Sequence, residues 1–304
     1  MKLEMVTRSC PVCGSKDESN VFAEADFDPQ KWDSFAFASR KLPEYMHYRL
    51  ITCPTCDLLY ANPLPTLESL SAAYEDAAFD SSEEAGYAAR TYGSILPEIV
   101  SRLKSREGAL DIGTGDGAFL GELIKAGFTN VQGVEPSAAP IIMASPDIKP
   151  LIRQGLFRSV DYLAESLQLV TCFQTIEHLY DPMSMCRDVF KLLKPSGAVF
   201  LICHNRAGLS VKMLGMKSPI FDIEHLQLFS PQSARNMLER SGFQDIIVKP
   251  LKNTYPLHYW AKLFPLPAKF KRSLLNRLKG SKIGSLPISL SVGNLVVIGR
   301  KPVK

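Results

Sequence analysis

Several features are scarce or missing in this chain of 304 residues, and each absence removes a class of protein. No apolar run reaches the ~18 residues that a membrane-spanning helix needs, so no such helix is expected. The first ten residues carry Lys2, Glu4 and Arg8 and no apolar stretch, which argues against a secretory leader and makes the cytoplasm the expected compartment. There are no internal repeats and no low-complexity tract. Acid is missing from one end altogether: after Asp245 there is no Asp or Glu.

That last absence shapes the charge. The formal net charge is only +4, from 35 basic and 31 acidic residues. The final 59 residues hold twelve Lys or Arg and no acid, whereas the first 245 hold 23 basic against 31 acidic residues. A body of −8 joined to an end of +12 points to an anionic partner. Otherwise the composition, 46% hydrophobic and 22% charged, is that of a globular protein. The length suits one large α/β domain plus a small module.

Three of the seven cysteines, Cys172, Cys186 and Cys203, lie singly among apolar residues and read as buried small hydrophobes. The other four form two knuckles, Cys10-Pro-Val-Cys13 and Cys53-Pro-Thr-Cys56, with 39 residues between them. Four thiolates in two C-x2-C pairs suit a tetrahedral structural Zn²⁺ with no open position, and disulfides are disfavoured in the cytoplasm. The expected organisation is a zinc-binding module at 1–65, a helical linker or lid at 66–107, and an α/β domain at 108–304. A basic amphipathic insert at 251–290 interrupts that domain.

Helices are expected at Thr66–Phe79 and Tyr87–Arg106. From Gly108 short apolar strands alternate with amphipathic helices. Strands are expected at Ala109–Ile112, Val131–Val134, Leu151–Gln154, Leu167–Phe173, Ala198–Cys203, Ile246–Val248 and Val292–Ile298. This alternation predicts a Rossmann-like, doubly wound, seven-stranded and mostly parallel sheet.

The first of these strands runs into Asp111-Ile112-Gly113-Thr114-Gly115-Asp116-Gly117. Glycines at a strand-to-helix turn let a ligand approach the backbone closely. The spacing is G-x-G-x-G, unlike the G-x-G-x-x-G of dinucleotide enzymes. Asp111 would oppose a pyrophosphate but suits an ammonium group. Glu135 ends the second strand, where a carboxylate can accept both ribose hydroxyls. A nucleoside with an amino-acid tail and no phosphates meets these demands, and S-adenosylmethionine is such a molecule.

The segment from about Gly108 to Phe243 resembles the class I S-adenosylmethionine-dependent methyltransferases. The matching stretches are Leu110–Gly117, Gly133–Ser137, Phe173–Pro182 and Leu192–Gly197. The resemblance implies that Asp111, Gly113, Gly115 and Gly117 cradle the cofactor and that Glu135 holds its ribose. It also implies that Phe173, Gln174 and His178 border the transferred methyl. Many such enzymes place an Asp after the third strand to meet the adenine; this chain reads Gln154-Gly155-Leu156-Phe157 there. A four-Cys module ahead of such a domain is similar to a bacterial group associated with sugar, polysaccharide and natural-product tailoring. The implied acceptor is therefore a small or carrier-linked molecule, such as a lipid- or nucleotide-linked sugar.

Methyl transfer from a sulfonium is an in-line displacement, and a hydroxyl acceptor also needs a proton acceptor. Three histidines follow strand ends on the crevice side of the expected sheet: His178, His204 and His225. Glu177 and Glu224 are alternates. The insert interleaves aromatics with cations across 255–282, which suits a membrane interface or a cap over an anionic substrate. The alternative reading is a ribosomal- or transfer-RNA methyltransferase with a zinc module. The basic end favours it, but the base-amine motif N/D-P-P-Y/F is absent.

Overall fold

Seven strands carry the molecule: β1 (Glu107–Ile112), β2 (Thr129–Glu135), β3 (Ile152–Gln154), β4 (Leu167–Phe173), β5 (Leu193–His204), β6 (Gln244–Pro250) and β7 (Asn294–Arg300). The structure is a computed structural model and describes residues 4–28, 45–75, 82–264 and 266–303. The expected helix at Thr66–Phe79 is described as Leu67–Glu75; the remainder of that stretch lies outside the described residues.

The strands form one sheet in the order 6-7-5-4-1-2-3. The first five are parallel, and β7 runs antiparallel to both β5 and β6. This is the doubly wound sheet of class I methyltransferases, and β4 has the bounds its apolar run predicts. Because β1 to β5 are parallel, their C-terminal ends open on one edge, where ligands of such sheets bind. The central strands are fully buried at Leu110, Leu169, Val170 and Phe200, as expected of a sheet covered on both faces.

Helix ends follow from local chemistry. Asp181 caps Pro182–Leu192 by accepting from Ser184 N–H at 2.8 Å. Ser230 caps Pro231–Arg240, and the Ser233 hydroxyl reciprocates in a capping box. The helix expected over Tyr87–Arg106 is instead two, Ser82–Gly93 and Leu96–Val100. Pro97 lacks an N–H and cannot continue the first helix, so it sits at the start of the second.

Among the described residues three smaller sheets accompany the main one, the shortest pairing Met5–Val6 with Leu64–Pro65. Val21–Ala23, Leu50–Thr52 and Leu59–Ala61 form an antiparallel sheet whose outer strand, Gln227–Leu228, comes from beyond β5. The four-Cys region is thereby stitched to the α/β domain. Its Cys10, Cys53, Cys56 and Tyr60 share one core with Val170, Cys172 and Leu201. The insert folds as a hairpin of Asn253–Pro256 with Pro287–Leu290, enclosing helices Leu257–Leu263 and Ala268–Leu278.

Candidate functional site

At the C-terminal edge of the sheet lies a cleft of about 900 Å³. One end is built by the turns after β1 and β2. Asp111 is buried, and its carboxylate accepts from Thr171 Oγ1 at 2.6 Å and Thr114 Oγ1 at 2.8 Å. The register explains the first bond: Asp111 and Thr171 are direct neighbours on parallel β1 and β4. Burial pushes the Asp111 carboxyl up to about 7, against the pull of the two hydroxyls. Glu135 is buried too, accepting from Gly115 N–H and Ser137 N–H, each at 3.0 Å. Burial raises its carboxyl as well. The Ser137 hydroxyl bonds to Glu135 as well, whereas each Asp111 oxygen, with one hydroxyl partner, keeps a further lone pair.

The three glycines of the turn all have positive φ but do different work. A Cβ on Gly113 would strike the Thr175 side chain, and one on Gly117 would strike Ile148. A Cβ on Gly115 would meet nothing within 4 Å, because it would point into the open cleft. Of the three, Gly117 does not line the cleft; it caps the Ala118–Lys125 helix in the left-handed conformation. Phe173, the last residue of β4, and Gln174 just after it line the cleft, with Phe173 held edge-on between Phe119 and Phe200. The Gln174 side-chain nitrogen is buried without a hydrogen-bond partner. Pro136, Leu156 and Phe157 supply an apolar wall beyond Glu135.

These features fit S-adenosylmethionine. Asp111 and Gln174 offer an acceptor and an unused donor for an amino-acid tail. The Gly115 hollow leaves room for a chain against the backbone, and the Glu135 carboxylate lines the same cleft.

At the other end the fold gathers all three histidines. The ring centroids of His178 and His225 are 4.9 Å apart, and those of His204 and His225 are 4.8 Å apart. The His225 Nδ1–H donates to Ile220 O at 2.8 Å, leaving Nε2 as the lone-pair nitrogen. The His204 Nδ1 meets Asn294 Oδ1 at 3.0 Å; burial and the adjacent His225 push its pKa down to about 3, so it stays neutral. Glu224 lies 3.7 Å from His178 Nδ1 and 3.9 Å from His225 Nε2. Glu177 is not in the cleft. It is fully buried, and its carboxylate accepts from the His204 backbone N–H.

Arg8 and Gln227, which carry no motif, hold this end together. The Arg8 guanidinium donates to Leu226 O at 2.8 Å, Tyr180 O at 3.0 Å and Ala61 O at 3.2 Å. The Gln227 amide donates to Ile176 O and Leu179 O, both at 2.8 Å. The loops bearing His178 and His225 are thus tied to one another. In sequence the only hint was the position of Gln227 two residues after His225.

The four paired cysteines converge, with Cys10 Sγ 3.5 Å from Cys56 Sγ and Cys13 Sγ 3.4 Å from Cys53 Sγ. None of the seven cysteines is in a disulfide. Tetrahedral ligands at about 2.3 Å from a zinc ion stand about 3.8 Å apart, so the donor set and spacing fit Zn²⁺.

A family model described as a methyltransferase domain matches residues 85–248, more than half of the chain. This chain belongs to that methyltransferase family. Similar curated proteins are ubiquinone biosynthesis O-methyltransferases. That of Pseudomonas aeruginosa (strain UCBPP-PA14) is 35% identical over 128 residues, 37% of this chain and 53% of that one. That of Pseudomonas fluorescens (strain SBW25) is 30% identical over 106 residues, covering 32% of this chain and 44% of that one. That of Aliivibrio fischeri (strain MJ11) is 25% identical over 166 residues, 49% and 70% respectively. The chain therefore spans about half the length of the Pseudomonas relatives. Among solved structures, a SAM-dependent methyltransferase from Archaeoglobus fulgidus is similar, at 17% identity and a TM-score of 0.48, over 70% of this chain and 94% of that one. Among the described residues no helix is long and apolar enough to cross a membrane.

Proposed function

We propose that this methyltransferase moves a methyl group from S-adenosylmethionine to a hydroxyl of a small or carrier-linked acceptor. The supporting observation is one cleft with two chemically distinct ends. One end has Asp111, Gly115, Glu135 and Gln174 for the cofactor; the other has His178, His204, His225 and Glu224 for the acceptor. The sulfonium supplies an electrophilic methyl when bound. The protein aligns the two partners and surrounds the acceptor hydroxyl with His178, Glu224 and His225, which favour loss of its proton.

The acceptor is anionic or attached to an apolar carrier. The similar O-methyltransferases are named for ubiquinone biosynthesis, and the sequence pattern suggests a lipid- or nucleotide-linked sugar. The cleft wall is rich in Leu67, Leu70, Leu263 and Phe264, which favours an apolar carrier. Over its mouth lies the insert, with exposed Phe264 and Phe270 among Lys262, Lys269 and Arg272 and no acid. Such a surface suits peripheral contact with anionic lipid at the inner membrane face. Ribosomal or transfer RNA is the second reading, supported by the same cations. The four cysteines hold a structural Zn²⁺.

Calorimetry with S-adenosylhomocysteine tests the cofactor end. Glu135→Ala should weaken binding by about 2–4 kcal/mol through lost charge-assisted bonds. Unchanged affinity would remove Glu135 from the site. Radiolabelled methyl transfer into lipid, sugar-nucleotide and RNA fractions distinguishes the acceptors. Label confined to RNA would overturn the small-acceptor reading.

A further inference from the structure

Three groups at the acceptor end are arranged for more than proton transfer. One ligand atom each from His178, Glu224 and His225 lies within 4.8 Å of the other two. Glu224 stands between the imidazoles, with one oxygen 3.7 Å from His178 Nδ1 and the other 3.9 Å from His225 Nε2. Three ligands held at about 2.1 Å by one ion cannot all stand more than about 3.6 Å apart. The two Glu224 contacts, one from each carboxylate oxygen, lie just beyond that limit, and the imidazole nitrogens are within 4.8 Å of one another, so the three side chains draw together when they take an ion.

The surroundings match a metal site in two further ways. The His225 Nδ1–H donates to Ile220 O at 2.8 Å. A backbone carbonyl in that role fixes the tautomer and turns Nε2 outward as a ligand, as outer-sphere partners of metal-bound histidines do. The three side chains also line the open cleft, so coordination positions remain on the acceptor side. The loops that carry them are braced by Arg8 and Gln227, which limits the reorganisation needed to bind an ion.

We infer that His178, Glu224 and His225 bind a divalent cation of the Mn²⁺, Fe²⁺ or Zn²⁺ type, which holds the acceptor oxygen. Two imidazoles and one carboxylate with open positions suit such ions, unlike the all-oxygen sets of Ca²⁺ and Mg²⁺. The binding itself stands on geometry; its role in catalysis rests on the methyl-transfer reading above. A hydroxyl coordinated to the cation gives its proton to solvent water. Its oxygen lone pair forms the new C–O bond as the sulfonium C–S bond breaks, and that electron pair stays on sulfur. His178 and His225 are then ligands, not proton carriers.

The test is a titration of the zinc-loaded, full-length protein with Mn²⁺, followed by electron paramagnetic resonance. Mn²⁺ favours nitrogen and oxygen ligands over the thiolates of the cysteine module. The wild type should bind one equivalent. His178→Gln/His225→Gln should lose at least about tenfold in affinity, the least expected when even an outer partner of a metal is removed. Glu224→Gln gives the same reading if the double variant fails to fold. A free-ion signal from the wild type, or a variant that binds Mn²⁺ as the wild type does, overturns the proposal. S-adenosylhomocysteine is titrated in parallel. Cofactor binding without Mn²⁺ binding sinks the metal site alone, and no cofactor binding sinks the methyl-transfer reading.

Discussion

Asp111 is a buried carboxyl whose two oxygens meet only hydroxyls, Thr171 and Thr114, and no cation. Its pKa in the folded protein, about 7, lies above the 3.8 of a free Asp. Between those values the folded state binds more protons than the unfolded one, so stability from this residue falls as pH rises. Asp111→Asn removes the titration while keeping the size and an oxygen acceptor. Relative to the wild type, the apo variant should gain roughly 3 kcal/mol between pH 5 and pH 8, at about 1.4 kcal/mol per unit across the two units up to 7. Denaturant melts at the two pH values measure it, and parallel curves would rule out the buried-acid account. The same substitution should weaken S-adenosylhomocysteine binding, because an ammonium group against Asp111 stabilises its ionised form.

At the scale of elements, the turn between β1 and the Ala118–Lys125 helix separates fold from function. Gly115→Ala should cost only about 1–2 kcal/mol of stability, the price of a left-handed Cβ, since nothing lies within 4 Å of it. It should nonetheless lower S-adenosylhomocysteine affinity at least about tenfold, because its methyl occupies the hollow over the turn. Gly117→Ala should do the reverse, lowering the melting temperature through the Ile148 clash more than it lowers affinity. Equal effects of the two substitutions would contradict this division. The turn was legible because glycine spacing is a local signal, and β4 was legible because a buried parallel strand is mostly apolar, here broken only by Gln168 and Thr171. The break at Pro97 was also readable, although helical periodicity at Ile95, Ile99 and Leu103 masked it. The hairpin pairing Asn253–Pro256 with Pro287–Leu290 was not. Its strands lie some thirty residues apart, are short and each include a proline, and only tertiary packing selects that register. Arg8 was invisible for another reason: three of its partners are backbone carbonyls, which no side-chain pattern records.

At the scale of the whole molecule, the cysteine region and the acceptor end of the cleft are one structure. Gln227–Leu228 pairs with Leu59–Ala61, which follows Cys56 directly, and Ala61 N–H donates to Leu226 O at 2.8 Å. Arg8 lies two residues before Cys10 and braces the same segment. On the other side, Leu226 N–H donates to Glu177 O at 2.9 Å, next to His178. Among the described residues the cofactor turn has no such hydrogen-bonded tie; its bonds run to Val134, Glu135 and Thr171 within the main sheet. Disruption of the four-cysteine cluster should therefore disorder the acceptor end first. Cys53→Ser is expected to lower the melting temperature by about 5 °C or more, for a loss of ~2 kcal/mol. Amide exchange at Ala61, Leu226 and Gln227 should accelerate about tenfold or more, while Gly113 and Gly115 keep their protection. S-adenosylhomocysteine affinity should stay within about twofold of the wild type. Exchange that quickens equally at both ends would show that the cysteine centre supports the fold at large. Exchange confined to Leu226 and its neighbours would show that the module serves the acceptor, tying the acid-rich body to the cleft beneath the basic cover.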